Sequence, residues 1–121
     1  MVEKLEAAPI KPPIRIADVN KLDVRVGTIV AVADVPNSEK LLELTVDFGD
    51  HRRKIIAGMK QERADPKEVE GKQCLFVVNL EPRTMMGQVS EGMLFDLGYA
   101  DGLTPCLAVP ERPVPNGVRA G

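Results

Sequence analysis

Asp23-Val24-Arg25-Val26-Gly27-Thr28-Ile29-Val30-Ala31-Val32-Ala33-Asp34-Val35 is the stretch from which the fold follows. Val24, Val26, Thr28, Val30 and Val32 alternate with Arg25, Gly27, Ile29, Ala31 and Ala33. This period of two, rich in β-branched residues, reads as one long strand. Gly27 lies in its interior, where a bulge or sharp bend would let the strand curve and serve two sheet segments. Pro36-Asn37-Ser38 ends it. Next, Leu42, Leu44, Val46 and Phe48 alternate with Glu43, Thr45 and Asp47, a second strand with one buried and one wet face. Gly49-Asp50 turns the chain into a third strand over residues 53–57.

In Asp65-Pro66-Lys67-Glu68-Val69-Glu70-Gly71, Asp65 can cap a helix, Pro66 suits its first position and Gly71 closes it, so a short helix is expected. Residues 73–80 are apolar on both faces, as in a strand covered on two sides, and residues 93–97 give a fifth strand. In the other direction, residues 16–22 form a short helical turn. Residues 1–15, with Pro9, Pro12 and Pro13, form an extended arm. After Gly98 the prolines at 105, 110, 113 and 115 suggest an extended tail lying against the body. The expectation is an all-β OB-fold, a five-stranded Greek-key barrel with a short helix between strands three and four and extended terminal arms. Residues 16–121 would form its single domain.

The 121 residues contain no internal repeat, and a hydrophobic fraction of 44% is enough to close one core. No stretch approaches the roughly 18 apolar residues of a membrane span. The N-terminal residues lack a basic flank followed by an apolar run. The expected protein is soluble and cytoplasmic, with no membrane contact. Cys74 and Cys106 belong to no CxxC pair and read as buried free thiols. His51 sits in a charged turn without a second imidazole or a Ser/Cys partner, so neither a metal site nor a triad is expected. No cofactor and no enzymatic activity are expected.

The net charge is −2, which argues against a grip on nucleic acid through the overall field. Locally, residues 51–60 carry four bases (Arg52, Arg53, Lys54, Lys60) and no acid. This run is either a basic patch or a solvated hairpin tip.

Between strands four and five lies Asn79-Leu80-Glu81-Pro82-Arg83-Thr84-Met85-Met86-Gly87-Gln88-Val89-Ser90-Glu91-Gly92-Met93. In an OB-fold this connection borders the binding face. Asn79-Leu80-x-Pro82-Arg83 followed by Gly87-x-x-Ser90-x-Gly92-Met93 resembles the signature of the tRNA-binding domain at the C-terminus of methionyl-tRNA synthetases. The same domain occurs in the endothelial monocyte-activating polypeptide family and in free-standing dimeric tRNA-binding proteins. Asp23-Val24-Arg25-Val26-Gly27, Ser38-Glu39-Lys40-Leu41-Leu42, Val46-Asp47-Phe48-Gly49 and Pro115-Asn116-Gly117 extend the resemblance from about residue 16 to the end.

The resemblance implies an OB-fold that recognises tRNA by shape, commonly as a homodimer, alone or with a methionyl-tRNA synthetase catalytic chain. By position it assigns RNA contacts to Asn79, Arg83, Ser90 and Met93, with Lys40 at a basic position and Glu91 on the same loop. Thr84 departs from it, since relatives often carry a second base there. Either phosphate affinity is lower here, or Arg52 and Arg53 supply it. The related export chaperone of the CsaA type, which binds unfolded polypeptides, is the alternative.

Each residue has a competing structural role. Arg83 can pair with a phosphate in bidentate fashion or form a salt bridge to Glu81 or Glu91. Asn79 can read a base edge or satisfy backbone groups at the strand end. Ser90 can reach a 2′-hydroxyl or cap a loop amide. Met93 shares its strand face with Phe95 and Leu97, which by periodicity is the core face. Phe48, Phe76 and Phe95 also read as core, leaving no aromatic platform of the kind that single-strand binders use. Folded RNA is therefore the expected ligand. Dimerisation is expected because the outer face of strand four and the proline-rich arms need cover.

Overall fold

The computed structural model describes residues 2–121. Its first strand, β1 (Val24–Asp34), organises the rest. From Val24 to Thr28 it pairs antiparallel with β4 (Gln73–Val77), and from Thr28 to Asp34 with β2 (Leu42–Asp47). Thr28 is the one residue common to both ladders. β3 (Arg52–Ala57) lies outside β2. The short α1 (Ile16–Val19) precedes β1.

After β4 come a hairpin, β5 (Arg83–Met85) and β6 (Gln88–Ser90), then β7 (Met93–Leu94) and β8 (Asp96–Leu97). β9 (Cys106–Leu107) and β10 (Arg119–Ala120) complete the chain. The main sheet runs β3-β2-β1-β4-β7, with β10 added beside β1. It curls into the five-strand order of an OB-like barrel.

The bulge of β1 lies between Ile29 and Ala31, not at Gly27. Val30 is the extra residue, and the inward set becomes Gly27, Ile29 and Val32, because one unpaired residue flips the alternation; Val26 is buried outside this core cluster. The turn preceding β4 satisfies the backbone freed at the bulge. Ile29 N donates to Lys72 O (3.0 Å), Gly71 N to Ile29 O (2.7 Å), and Val32 N to the Glu70 carboxylate (2.8 Å). Gly27 serves packing: a Cβ there would stand 2.6 Å from Val46 Cγ1 and 2.8 Å from Phe48 Cε1. The barrel closes over this point with Phe48 edge-on to Phe76, ring centroids 5.4 Å apart.

The expected helix is a single 3-10 turn, Pro66–Val69, with the Asp65 side chain accepting from Lys67 N and Val69 plugging the core. Glu68 pairs with Arg63 (3.0 Å). The expected fifth strand is split. Phe95 N donates to Leu75 O, after which β8 leaves the main sheet and pairs with β9.

The C-terminal tail is tied down. Asn116 Oδ1 accepts from Thr28 Oγ1 (2.8 Å) and Gln73 Nε2 (2.9 Å), and Gly117 N donates to Val26 O. Strand four needs less cover than expected, since Val77 is 2% exposed and Leu75 N is held by Ala108 O. Only Cys74 is buried, while Cys106 is exposed. Burial pushes the Cys74 thiol up to about 12, which leaves it protonated and inert.

Candidate nucleic-acid interface

Residues 79–93 leave β4, project outward as the β5–β6 hairpin, and return to β7. The sequence shows no strand alternation within this stretch. Met86 and Gly87, with φ of 51° and 80°, form a two-residue turn with both residues left-handed, the geometry that matches strand twist in hairpins. Gly87 was the available signal. Without Asn or Asp before it, the turn was not legible.

Both ends of the segment are fastened. Asn79 Oδ1 accepts from Asp23 N (2.8 Å), and its Nδ2 donates to Lys21 O (2.7 Å). At the other end the buried Ser90 hydroxyl accepts from Ile56 N (2.9 Å) and donates to Gly92 O (3.1 Å). Glu91 N donates to Lys54 O (2.9 Å), and the Glu91 carboxylate accepts from Lys54 N (3.1 Å). Arg53 Nη1 donates to both Val78 O and Glu91 O. These bonds join β3 to the β6–β7 junction, where the main sheet has no ladder of its own, and so close the barrel. Gly92 permits the approach, since a Cβ there would lie 2.9 Å from Val77 O.

Of the eight residues named from the sequence, seven therefore fall into two groups. Asn79, Ser90, Glu91 and Arg53 spend their polar atoms on the fold. Arg83, Arg52 and Lys40 make no side-chain hydrogen bond or ion pair among the described residues, and the salt bridge from Arg83 to Glu81 or Glu91 does not form. Met93 is 44% exposed, while its neighbour Leu94 packs against the core. The alternation runs in the opposite phase to the one expected: Leu94, in register with the buried Phe76, faces the core, whereas Met93 and Leu97 are exposed and Phe95 is only half-buried.

Arg83, Ser90 and Met93 come together around a pit of ≈ 90 Å³ floored by Ile56 and walled by Leu80 and Met85. Lys40 lies apart, lining a depression with Gln61, Glu62 and Tyr99. Asn79 borders a third, beside Asp23, Arg25 and Arg119.

The basic run does not form a patch. Lys54 Nζ binds Glu43 (3.2 Å) and Thr45 (2.8 Å) across the strands, Lys60 pairs with Asp34 (3.1 Å), and Arg53 is in the closure. Arg52 alone faces solvent unpaired, so the solvated-tip alternative describes this run better. His51 stacks on Phe48 and bridges Asp50 (2.6 Å) and Arg53 (3.0 Å). The Asp50 carboxyl is lowered chiefly by that hydrogen bond from His51. No group of three metal-binding side chains occurs among the described residues.

Known proteins share this architecture. A family model described as "Putative tRNA binding domain" matches residues 24–119. The methionine–tRNA ligase of Parabacteroides distasonis is 40% identical over 112 residues, which are 93% of this chain and 16% of that protein. This chain thus spans about a sixth of the length of such relatives. The crystal structure of a MetRS-related protein from Pyrococcus horikoshii superposes with a TM-score of 0.84 at 31% identity, covering 92% of this chain and 100% of that one. The chaperone CsaA from Bacillus anthracis gives 0.78 at 26% identity, covering 91% and 100%. The family match spans the bent first strand, the closing loop and the C-terminal tie at Asn116-Gly117, the elements that position the rim around Arg83. On these grounds the chain belongs to the tRNA-binding domain family.

Proposed function

We propose that this chain binds folded tRNA without catalysing a reaction, through the rim formed by the β5–β6 hairpin and centred on Arg83. The observation that carries the reading is an unpaired guanidinium on a fixed hairpin beside an open pit, in a chain of this family. A guanidinium so placed can take a phosphate through two parallel bonds or lie against an exposed base. With Met93 beside it, and Arg52 the one unpaired base of residues 51–60, contacts would be few, which suits recognition of RNA shape and backbone. The chain would serve in the cytoplasm as the tRNA-binding part or β subunit of a methionyl-tRNA synthetase, or as a free-standing tRNA-binding protein.

Arg83→Ala is expected to weaken tRNA binding several-fold while the folded structure is kept. Filter retention at low salt is the measurement, and unchanged affinity would remove this rim from the proposal. The proposal includes a homodimer. The exposed Val19, Leu22 and Val118 around the free edge of β10 are apolar surface that a second copy would cover. Sedimentation at micromolar concentration is expected to give twice the chain mass, and a monomer would refute this assignment.

A second reading, capture of unfolded polypeptide, is favoured by Leu80, Met86, Val89 and Met93, all exposed on the same rim. A reduced, denatured polypeptide offered against tRNA separates the two. Binding of tRNA with no competition from the polypeptide supports the first reading.

A further inference from the structure

The depression that holds Lys40 lies away from the Arg83 rim and has a volume of ≈ 510 Å³, within the roughly 300–1,000 Å³ of small-ligand sites. Four kinds of group meet there. Tyr99 offers an aromatic face and is 69% exposed, whereas Phe48 and Phe76 are buried. Lys40 brings an unpaired ammonium on a fixed backbone, since Lys60 N donates to Lys40 O (3.1 Å). Gln61 brings an amide. Glu62 brings a half-buried carboxyl, raised by burial first and by the charge of Asp96 second.

Tyr99 is held in position. It opens the 3-10 turn Tyr99–Asp101, bracketed by Gly98 and Gly102 in left-handed conformations. Leu103 N donates to Gly98 O (2.9 Å), and Thr104 N is held by the Glu3 carboxylate (3.1 and 3.2 Å). A large ring kept in water by a built turn is surface that a flat partner can cover.

The charges narrow the partner. Glu62, with Asp96 close by, disfavours a bare phosphate. A carboxylate and an amide beside an aromatic face do suit a nucleobase bearing an exocyclic amino group. Lys40 stands in the loop between β1 and β2, which together with the loop after β4 brackets the ligand face of an OB-fold.

We propose that this depression takes one unpaired nucleotide of the bound RNA, its base stacked on Tyr99, its amino edge toward Glu62 and Gln61, and its phosphate on Lys40. The inference rests on the tRNA-binding reading and adds a base-stacking contact to a surface otherwise suited to RNA shape.

Tyr99 is the only tyrosine in a chain without tryptophan, so its emission reports on this site alone. Unfractionated tRNA added to the intact protein is expected to quench that emission in step with filter retention, after correction for absorption by the RNA. A blunt RNA duplex, with every base paired, is expected to be retained without quenching. Tyr99→Leu should lose about tenfold in tRNA affinity and little for the duplex, while Tyr99→Phe, which keeps the ring, should match the parent.

Retention of tRNA with unchanged Tyr99 emission, or parental affinity in Tyr99→Leu, overturns the inference and leaves the Arg83 rim standing. Quenching by CMP or AMP but not by tRNA would make this a free-nucleotide site and overturns it as well. No tRNA retention at all defeats both this inference and the function on which it rests.

Discussion

The two ends of residues 79–93 and the hairpin between them use similar residues for opposite purposes. At the ends, the side chains of Asn79 and Ser90 and the groups of Glu91 are hydrogen-bonded to β3, to the approach to β1, or to neighbouring backbone. In the middle, β5 and β6 pair only with each other, leaving the side chains of Arg83, Met86 and Val89 toward water. A polar residue in a loop signature can therefore either build the loop's position or be displayed by it. Sequence position does not separate the two, because both are required for one surface.

The largest test of that division falls on the fastened end. Ser90→Ala leaves Ile56 N–H without a partner in a buried position, and an unsatisfied buried group costs about 1–3 kcal/mol. Chemical denaturation should show a loss of that size, with tRNA affinity of the folded variant within about twofold. The reverse outcome, intact stability and lost binding, would move Ser90 from the closure to the contact surface. On the displayed side, Arg83→Ala should leave stability within about 0.5 kcal/mol, as for other surface positions without partners. Its binding should also lose about one phosphate's share of the salt dependence. If Arg83→Ala unfolds the chain, the division between closure and display fails.

Much of the fold was legible because period-two alternation and β-branched residues state where strands run. β2 shows this most clearly, with Leu42, Leu44 and Val46 all buried. Gly27 reads alike as a bulge, a bend or a packing glycine: it marks close packing against Val46 and Phe48, next to Thr28 where β1 passes from β4 to β2, while the bulge itself follows at Val30. The split of β7 from β8 was hidden for a similar reason: Met93, Phe95 and Leu97 keep a strand's alternation although the chain changes partners between them. The candidate site residues are not legible by role, and of them the structure gathers Arg83, Ser90 and Met93 around one pit while Lys40 and Asn79 lie elsewhere. The charges of Arg52, Arg53, Lys54 and Lys60 read as one run, whereas Glu43 on the adjacent strand and Asp34 at the end of β1, both distant in sequence, neutralise Lys54 and Lys60. Tyr99 is not legible as a contact in the sequence, because a lone aromatic gives no period to read.

The smallest expected effect is the one most specific to the hairpin as a display platform. Met86 sits at φ 51°, and a left-handed conformation costs a residue with an ordinary side chain roughly 1–2 kcal/mol. Asparagine tolerates that region, and Asn-Gly is favoured for this turn. Met86 is exposed, so replacing it forfeits little packing. Met86→Asn should therefore raise stability by about 0.5–1 kcal/mol in denaturation experiments, because relief at the turn outweighs the lost contact. The same variant removes an apolar side chain from the rim. Under the tRNA reading its affinity for tRNA should stay within about twofold, since Arg83 keeps its place on β5. Under the polypeptide reading it should bind denatured polypeptide more weakly. A destabilised Met86→Asn would mean that the turn is not the left-handed pair seen here, and Arg83 would lose the fixed support on which its role depends.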